Sequence, residues 1–518
     1  MSIDREKLIK AIKKNIVAIV FIGIMSVIYI YTMFNNKPWY DELYTYYYFI
    51  SRGPIYAAIH WPVPNNHVGY SVLSAIFDLF GNQYIGLRGV SCIAAILNLV
   101  LLYRFSRRFM NRFFATGVIA LYAGSYLTFR LSVQGRGYTL AITCYLVTMI
   151  EIYNICTEVH KKRNYVILGL AMMYGMYILP SSVYWVIPSC ITGGLYLLVK
   201  KNYDRLRNLI ICALGAAGGT FLLYTVIWLA IGANLMSKDA ESIFYGVDQA
   251  LVVLRDPLGS FTTGIKYMLA TPYIQSIDRT ECIRTMYVYL KELFDNFYNY
   301  SGISIFILTV IIFVWNICQA LRQLYYKRNR FMASIFVTTN LIMVPVMLMI
   351  QSVHPYKRVL SFYFIPIAFG VMHMLNNFCD EYLSDSFKRN FGTAAMCVSV
   401  ILALYCVNSE YYREPLADRE NVIEDVLAKV DTSGIDKIHY TDDYQKYVLK
   451  FYHDVMPEEC EELSDANYVM IGPELRDNKY NEPVWPVLYS YHMARLNYIE
   501  DKMTEIASND SYTIYARQ

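Results

Sequence analysis

The sequence predicts a polytopic α-helical membrane protein of about eleven spans, followed by a small α/β domain outside the membrane. Three observations predict it: the composition, the recurrence of apolar runs, and where the basic residues fall between them. Of 518 residues, 56% are hydrophobic and only 17% charged, which is too apolar and too poor in charge for a soluble protein of this length. Apolar runs of roughly bilayer-spanning length recur at about 16–34, 84–103, 113–130, 138–156, 164–180, 183–199, 208–231, 299–318, 331–350, 359–375 and 391–408. Every even-numbered run ends in basic residues: Arg104, Arg107, Arg108 and Arg112; Lys161, Lys162 and Arg163; Lys200, Lys201, Arg205 and Arg207; Arg322, Lys327, Arg328 and Arg330; Lys388 and Arg389. By the positive-inside rule this parity places the amino terminus in the cytoplasm and the carboxy-terminal domain outside, in a multi-pass protein of the cell membrane.

The first run is read as a retained span. Arg5, Lys7, Lys10, Lys13 and Lys14 precede it as in a signal peptide, but the core is long and Asn35-Asn36-Lys37-Pro38-Trp39 follows it in place of a small-residue cleavage site. The chain then divides into a transmembrane domain, 1–408, with a first outer loop at 35–83 and a long outer loop at 232–298, and an extracytoplasmic domain, 409–518. In the first loop Tyr56-Ala57-Ala58-Ile59 and Ser71 to Phe80 read as short amphipathic helices on the membrane surface. In the terminal domain helical patterns near 419–430, 443–453 and 488–507 alternate with the strand-like stretches Lys437-Ile438-His439-Tyr440, Tyr468-Val469-Met470-Ile471 and Tyr512-Thr513-Ile514-Tyr515. The net charge of +4 lies in short clusters between spans and implies no nucleic-acid partner. Most of the 11 cysteines fall in apolar runs and none forms a CxxC pair, so neither a zinc site nor a disulfide framework is indicated.

The chemistry is expected on the outer side. Trp39-Tyr40-Asp41-Glu42 puts two adjacent carboxylates just beyond the first span. Near them in topology stand Asn65, Asn66, His67, Gln134, Arg136, His354, Lys357 and Arg358. The topological bias acts against cations in short outer turns, so Arg136, Lys357 and Arg358 are read as holding an anion, with phosphate the natural candidate for a guanidinium fork beside an ammonium. Carboxylates paired with phosphate-binding cations suit transfer from a phosphate-linked donor, in which a base takes the acceptor's proton and cations receive the leaving phosphate. No GxGxxG and no Walker loop is present to hold a nucleotide, so a donor used outside the cell is expected to be a lipid phosphate. The Asp442-Asp443 pair reads as a solvated turn, and Gly215 with Gly219 as a helix-packing GxxxG.

Trp39-Tyr40-Asp41-Glu42, Asn65-Asn66-His67-Val68-Gly69-Tyr70-Ser71, Leu87-Arg88-Gly89-Val90-Ser91 and Gln134-Gly135-Arg136-Gly137-Tyr138, in that order, resemble the polyprenyl-phosphate-dependent membrane glycosyltransferases of the C-type fold. The protein O-mannosyltransferases and the lipid A aminoarabinose transferases belong to that group. The resemblance covers residues 1–160 in motifs and extends in topology through the eleventh span. It implies that Asp41 is the base or orients the acceptor, that Glu42 is its partner, and that Asn66, His67, Gln134, Arg136, Tyr138, His354, Lys357 and Arg358 bind substrate. His354-Pro355-Tyr356-Lys357-Arg358 departs from the Arg-Tyr motif that many members carry at the mouth of a late span, which leaves the division of labour between the two cations open. Some relatives hold a divalent metal near the acidic pair. Here Asp41, Glu42 and His67 are candidates for its ligands but form no signature, and no other cofactor is implied.

The leading expectation is an integral membrane glycosyltransferase that passes a sugar from a polyprenyl-phosphate carrier, on the outer face, to a hydroxyl of an envelope glycan, lipid or protein. Inversion is expected because the site offers one base and no nucleophile for a double displacement. A transporter or flippase of lipid-linked glycans is the alternative. Transporters place ionisable residues at mid-membrane in repeated halves, whereas here the charges lie at the outer ends and no repeat is seen. A scaffold or sensor acting through the tail would leave the cationic outer turns unexplained.

Overall fold

The computed structural model describes residues 5–60, 66–157, 161–236, 249–270, 277–325, 331–409, 412, 418–441, 443–472 and 495–517. Asn65, Asp442, Lys327, Arg328, Arg330 and the start of the 488–507 pattern lie outside them. Helices stand at every expected span: α1 (Arg5–Asn35), α5 (Gln83–Ser106), α6 (Arg112–Gly124), α7 (Tyr126–Ser132), α8 (Tyr138–Thr157), α9 (Lys162–Ile178), α10 (Val183–Val199), α11 (Tyr203–Met236), α15 (Gly302–Tyr325), α16 (Met332–Gln351), α17 (Phe364–Tyr382) and α18 (Asp385–Asn408). The loops at 35–83 and 232–298 carry α2 (Tyr40–Tyr48), α3 (Pro54–Ile59), α4 (Val68–Asp78), α12 (Gln249–Arg255), α13 (Pro257–Ala270) and α14 (Arg279–Asp295). Among the described residues nine helices are long and apolar enough to cross a membrane. The third and fifth expected spans fall short, as a broken pair (α6 and α7) and as the 17-residue α9.

The chain separates into two compact units, one of residues 1–35 with 49–414 and the other of residues 36–48 with 415–518. In the first, α5, α8 and the segment Lys357–Tyr382 are central, with 67%, 72% and 78% of their most apolar stretch buried, whereas α11 and α15 bury only 17% and turn their apolar faces outward. Outward apolar faces are what a bilayer solvates. Neighbours pair as α5 with α8, α8 with α9, α9 with α11, α10 with α16 and α6 with α18 around one continuous core.

The break in the third span positions the site. Ser125 takes an extended conformation (φ −72°, ψ 129°), and the backbone groups it frees find partners. Tyr126 N–H donates to Phe297 O at 2.8 Å and Leu127 N–H to Asn296 O at 3.0 Å. The hydroxyls of Tyr298 and Tyr412 donate to Leu121 O (2.8 Å) and Gly124 O (2.6 Å). Within a membrane such a break persists only where protein replaces the lost helix bonds.

The second unit is a five-stranded sheet in the order β2-β1-β3-β5-β4, where β1 is Lys437–Tyr440, β2 Glu458–Glu459, β3 Tyr468–Ile471, β4 Met503–Ser508 and β5 Thr513–Arg517. β1 runs parallel to β2 and β3, and β5 antiparallel to β3 and β4. Residues 495–502 are helical, but from Met503 the expected helix is replaced by β4, whose backbone pairs with β5. Helices α19 (Asp418–Leu427) and α20 (Asp443–His453) belong to this unit, and so does α2 from the first outer loop. Rings join α2 to α20. Tyr40 stacks on Tyr444 with centroids 4.1 Å apart, Tyr47 on Tyr447 at 5.6 Å, and Tyr46 meets Phe451 edge-on at 6.0 Å. Tyr452 Oη donates to Pro38 O at 2.9 Å, and Lys37 pairs with Glu424.

Candidate active site

The turn between α7 and α8 is built by two glycines. A Cβ on Gly135 would lie 2.4 Å from Leu87 Cδ1 and 3.0 Å from Leu87 O, and one on Gly137 2.6 Å from Ile178 Cγ2 and 3.1 Å from His67 Cβ. Only hydrogen fits at these points, so the chain comes close enough for Gly137 N–H to donate to His67 Nδ1 at 2.8 Å. Ser91 Oγ, on α5, donates to Arg136 O (3.1 Å), and Arg136 N–H to Gln134 O (2.8 Å). Asn66 anchors the other wall by donating to Ala57 O (2.9 Å) and His60 O (2.7 Å). Tyr138, at the start of α8, sets its ring edge-on to His67 at 4.9 Å. Asn66, His67, Gln134, Arg136 and Tyr138 are all buried.

The His67 hydrogen bond fixes its chemistry. A backbone N–H only donates, so Nδ1 is an acceptor and the neutral ring carries its proton on Nε2. Burial, then the charges of Arg136 and Arg358, hold His67 well below its ordinary range, in accord with a neutral ring. Nε2 lies 3.3 Å from Arg136 Nη2, which also only donates. Two N–H donors therefore converge on one place, where an oxygen anion is the complementary group. The Arg358 guanidinium, whose charge reaches His67, stands over the Tyr356 ring at 5.0 Å.

The structure does not bring the whole late motif to this place. Lys357 Nζ pairs with Glu292 at 2.5 Å, and His354 stacks on Tyr289 (4.7 Å) with Nε2 3.6 Å from Cys282 Sγ. Both line a separate groove of about 310 Å³ against α14. Of the late cations Arg358 is the one whose charge acts on His67.

Asp41 and Glu42 occupy the first turn of α2, where unpaired helix N–H groups favour carboxylates. Glu42 is 1% exposed and accepts from Trp39 N–H at 3.3 Å, which closes half of a capping box. Asp41 is half-buried. Sequence reasoning missed a third acid in this unit, Glu420 of α19, which is 2% exposed. Burial pushes its carboxyl up to about 7 and the Glu42 charge adds to this, while backbone N–H groups of Glu420 and Tyr40 and the Arg419 charge act the other way. Arg419 is itself fixed, with Nε on Tyr512 Oη (2.6 Å) and its guanidinium 4.1 Å from the Tyr444 ring centre. No motif surrounds Glu420 in the sequence. Arg88, quoted above only as part of a motif, is fully buried in the first unit and donates to Met33 O at 3.1 Å. Among the described residues no group of three or more His, Cys, Asp or Glu side chains is placed to hold a metal ion.

Residues 67–229, a segment that opens on His67 and contains the Arg136 turn, match the family model of dolichyl-phosphate-mannose-protein mannosyltransferases. No curated protein matches the sequence. Among solved structures the chain resembles ArnT from Cupriavidus metallidurans bound to undecaprenyl phosphate, at 11% identity and a TM-score of 0.52 over 96% of this chain and 97% of that one. It also resembles the Archaeoglobus fulgidus oligosaccharyltransferase in complex with Zn and sulfate, at 14% identity and a TM-score of 0.50 over 96% of this chain and 73% of that one. The structural likenesses give the fold, and the match to the mannosyltransferase family model covers residues 67–229 of the chain.

Proposed function

We propose that the chain transfers a sugar from a polyprenyl-phosphate carrier to a hydroxyl of an envelope glycan, lipid or protein on the extracytoplasmic face, with inversion. The observation that carries this reading is the pair of donors, His67 Nε2–H and the Arg136 guanidinium, converging 3.3 Å apart beside the Arg358 charge. As the bond between the anomeric carbon and the phosphate oxygen breaks, negative charge grows on that oxygen, and donors fixed in advance stabilise it without having to reorganise. Asp41 takes the proton of the attacking hydroxyl and Glu42 holds the first turn of α2 in place. The undecaprenyl phosphate of the ArnT structure is the chemical precedent for the donor.

The test is transfer from defined polyprenyl-phosphate sugars by purified variants, with envelope glycans from cells with and without the protein naming the acceptor. Arg136→Lys keeps a charge but loses the fork, so the rate falls, and Arg136→Ala falls further, by about 30- to 1000-fold for one charge-assisted contact worth about 2–4 kcal/mol. Asp41→Asn abolishes transfer while expression holds. Full transfer by both Arg136→Ala and Asp41→Asn would overturn the assignment.

A further inference from the structure

The transmembrane unit holds a second polar chamber, unconnected with the chemistry above. α5, α8 and the segment leading into α17 carry Ser91, Tyr138 and Arg358 of the phosphate cradle near their beginnings, and all three end at this chamber. At 1.5 Å per residue, about eighteen residues of helix separate the two places by roughly 27 Å, so they lie at opposite ends of the unit. The chamber measures about 920 Å³, within the range of small-molecule sites. Among the described residues Arg107, Arg108, Lys200 and Arg322 line it, against two carboxylates, Asp380 and Glu381.

These side chains are held in place by their neighbours. Arg322 Nη1 forks onto both Glu381 oxygens at 2.9 and 3.0 Å. Arg108 donates to Asn154 Oδ1 at 2.5 Å over the Tyr153 ring, and Arg107 to Met110 O at 2.5 Å. Asp380 accepts from Asn376 Nδ2 (3.0 Å) and pairs with Lys388 (3.4 Å). Cations at helix ends often do no more than cap carbonyls. His373 requires something else. It is 4% exposed and lines the chamber, and Asn377 Nδ2 donates to its Nε2 at 3.2 Å. The proton of the neutral ring is then on Nδ1, which is buried and has no hydrogen-bond partner among the described residues. A buried N–H donor beside a chamber whose described lining carries four cations against two carboxylates favours an anion there.

We propose that this chamber binds a phosphate-bearing anion, at the end of the transmembrane unit opposite the transfer site. The phosphate is supplied either by an anionic lipid headgroup or by a soluble phosphate compound. The experiment places the full chain in phosphatidylcholine nanodiscs and follows thermal unfolding with phosphatidylglycerol added to the bilayer in one arm and inorganic pyrophosphate to the buffer in the other. A ligand of the native state raises the unfolding temperature with its concentration. A rise in the first arm alone assigns a lipid headgroup, and a rise with pyrophosphate assigns a soluble phosphate. In either case Arg107→Gln/Lys200→Gln weakens the apparent affinity about ten-fold or more, while Arg136→Ala, which disables the transfer cradle, leaves it unchanged. Arg322→Gln, at a half-exposed position, repeats the reading if the double variant melts early in neutral lipid. No rise in either arm, an undiminished rise in the chamber variants, or its loss in Arg136→Ala would overturn the proposal.

Discussion

Gly137→Ala is the most direct probe of the cradle, because it adds one methyl group and removes no functional atom. That methyl would stand 2.6 Å from Ile178 Cγ2, 3.1 Å from His67 Cβ and 3.2 Å from His67 Nδ1. Ile178 is fully buried and has no room to retreat. The turn must therefore move by several tenths of an ångström, which is enough to lengthen the 2.8 Å bond from Gly137 N–H to His67. Overpacking of this kind costs about 1–3 kcal/mol of stability. The rate should suffer separately, because that turn carries Arg136 and bonds His67 through Gly137 N–H. A loss of about 1.4 kcal/mol of transition-state stabilisation is a ten-fold fall in kcat, and at least that is expected. The measurement pairs thermal unfolding with single-turnover transfer. Gly218→Ala, in α11, is the control: no atom lies within 4 Å of its added methyl, so rate and melting hold or improve slightly. Wild-type kcat in Gly137→Ala would show that the turn does not organise the donors.

Glu420 gives a pH signature. Its folded carboxyl at about 7 exceeds the ordinary 4.5, so the native state holds a proton that the unfolded chain has lost between those values, and stability drains away as pH rises through that window. Glu420→Gln should be more stable than wild type at pH 8, by on the order of 2–3 kcal/mol, and equal to it at pH 4; an equal difference at both pH values would remove the linkage. Lys357→Ala breaks a half-exposed ion pair with Glu292 and should alter transfer less than three-fold, whereas Arg358→Ala should slow it at least ten-fold. Comparable rates in the two variants would deny the unequal roles. For topology, Ser464→Cys, exposed in the terminal domain, should label from outside intact cells in a background lacking Cys318 and Cys397, while Arg207→Cys should not. The reverse pattern inverts the orientation.

The helices were legible because bilayer-length apolar runs leave a plain mark and basic clusters sort them. What escaped the sequence depended on partners far along the chain. The run 113–130 reads as one span, yet it breaks at Ser125 because Asn296, Phe297, Tyr298 and Tyr412 replace the missing helix bonds. Met503 to Ser508 continue a helical pattern but become a strand because β5 offers an edge. Lys357 and Arg358 are neighbours of like charge, and only a helical turn at Lys357–Tyr363 sends one to Glu292 and leaves the other acting on His67. The motif around Arg136 was visible, but the reason for both of its glycines lies in Leu87 and Ile178. Glu420 had no local signal at all, since its significance comes from burial beside α2, nearly four hundred residues earlier.

In the proposed function the two kinds of chemistry fall to different units of the chain, since α2 groups with the terminal domain and the neutral His67 belongs to the other unit. Acid and base work is there assigned to Asp41, on a helix whose first turn is capped by Glu42 and whose rings pack on α20. Phosphate work is assigned to a cradle in which His67 cannot take a proton without losing its bond from Gly137 N–H, because a protonated ring has no acceptor nitrogen. That neutrality is fully present above the ordinary histidine value of about 6.5 and is given up only as pH falls through the depressed folded value. The positive charge of the cradle therefore comes from the Arg136 and Arg358 guanidinium groups, and His67 contributes direction. On the proposed function, a departing phosphate then meets the same donors wherever His67 stays neutral.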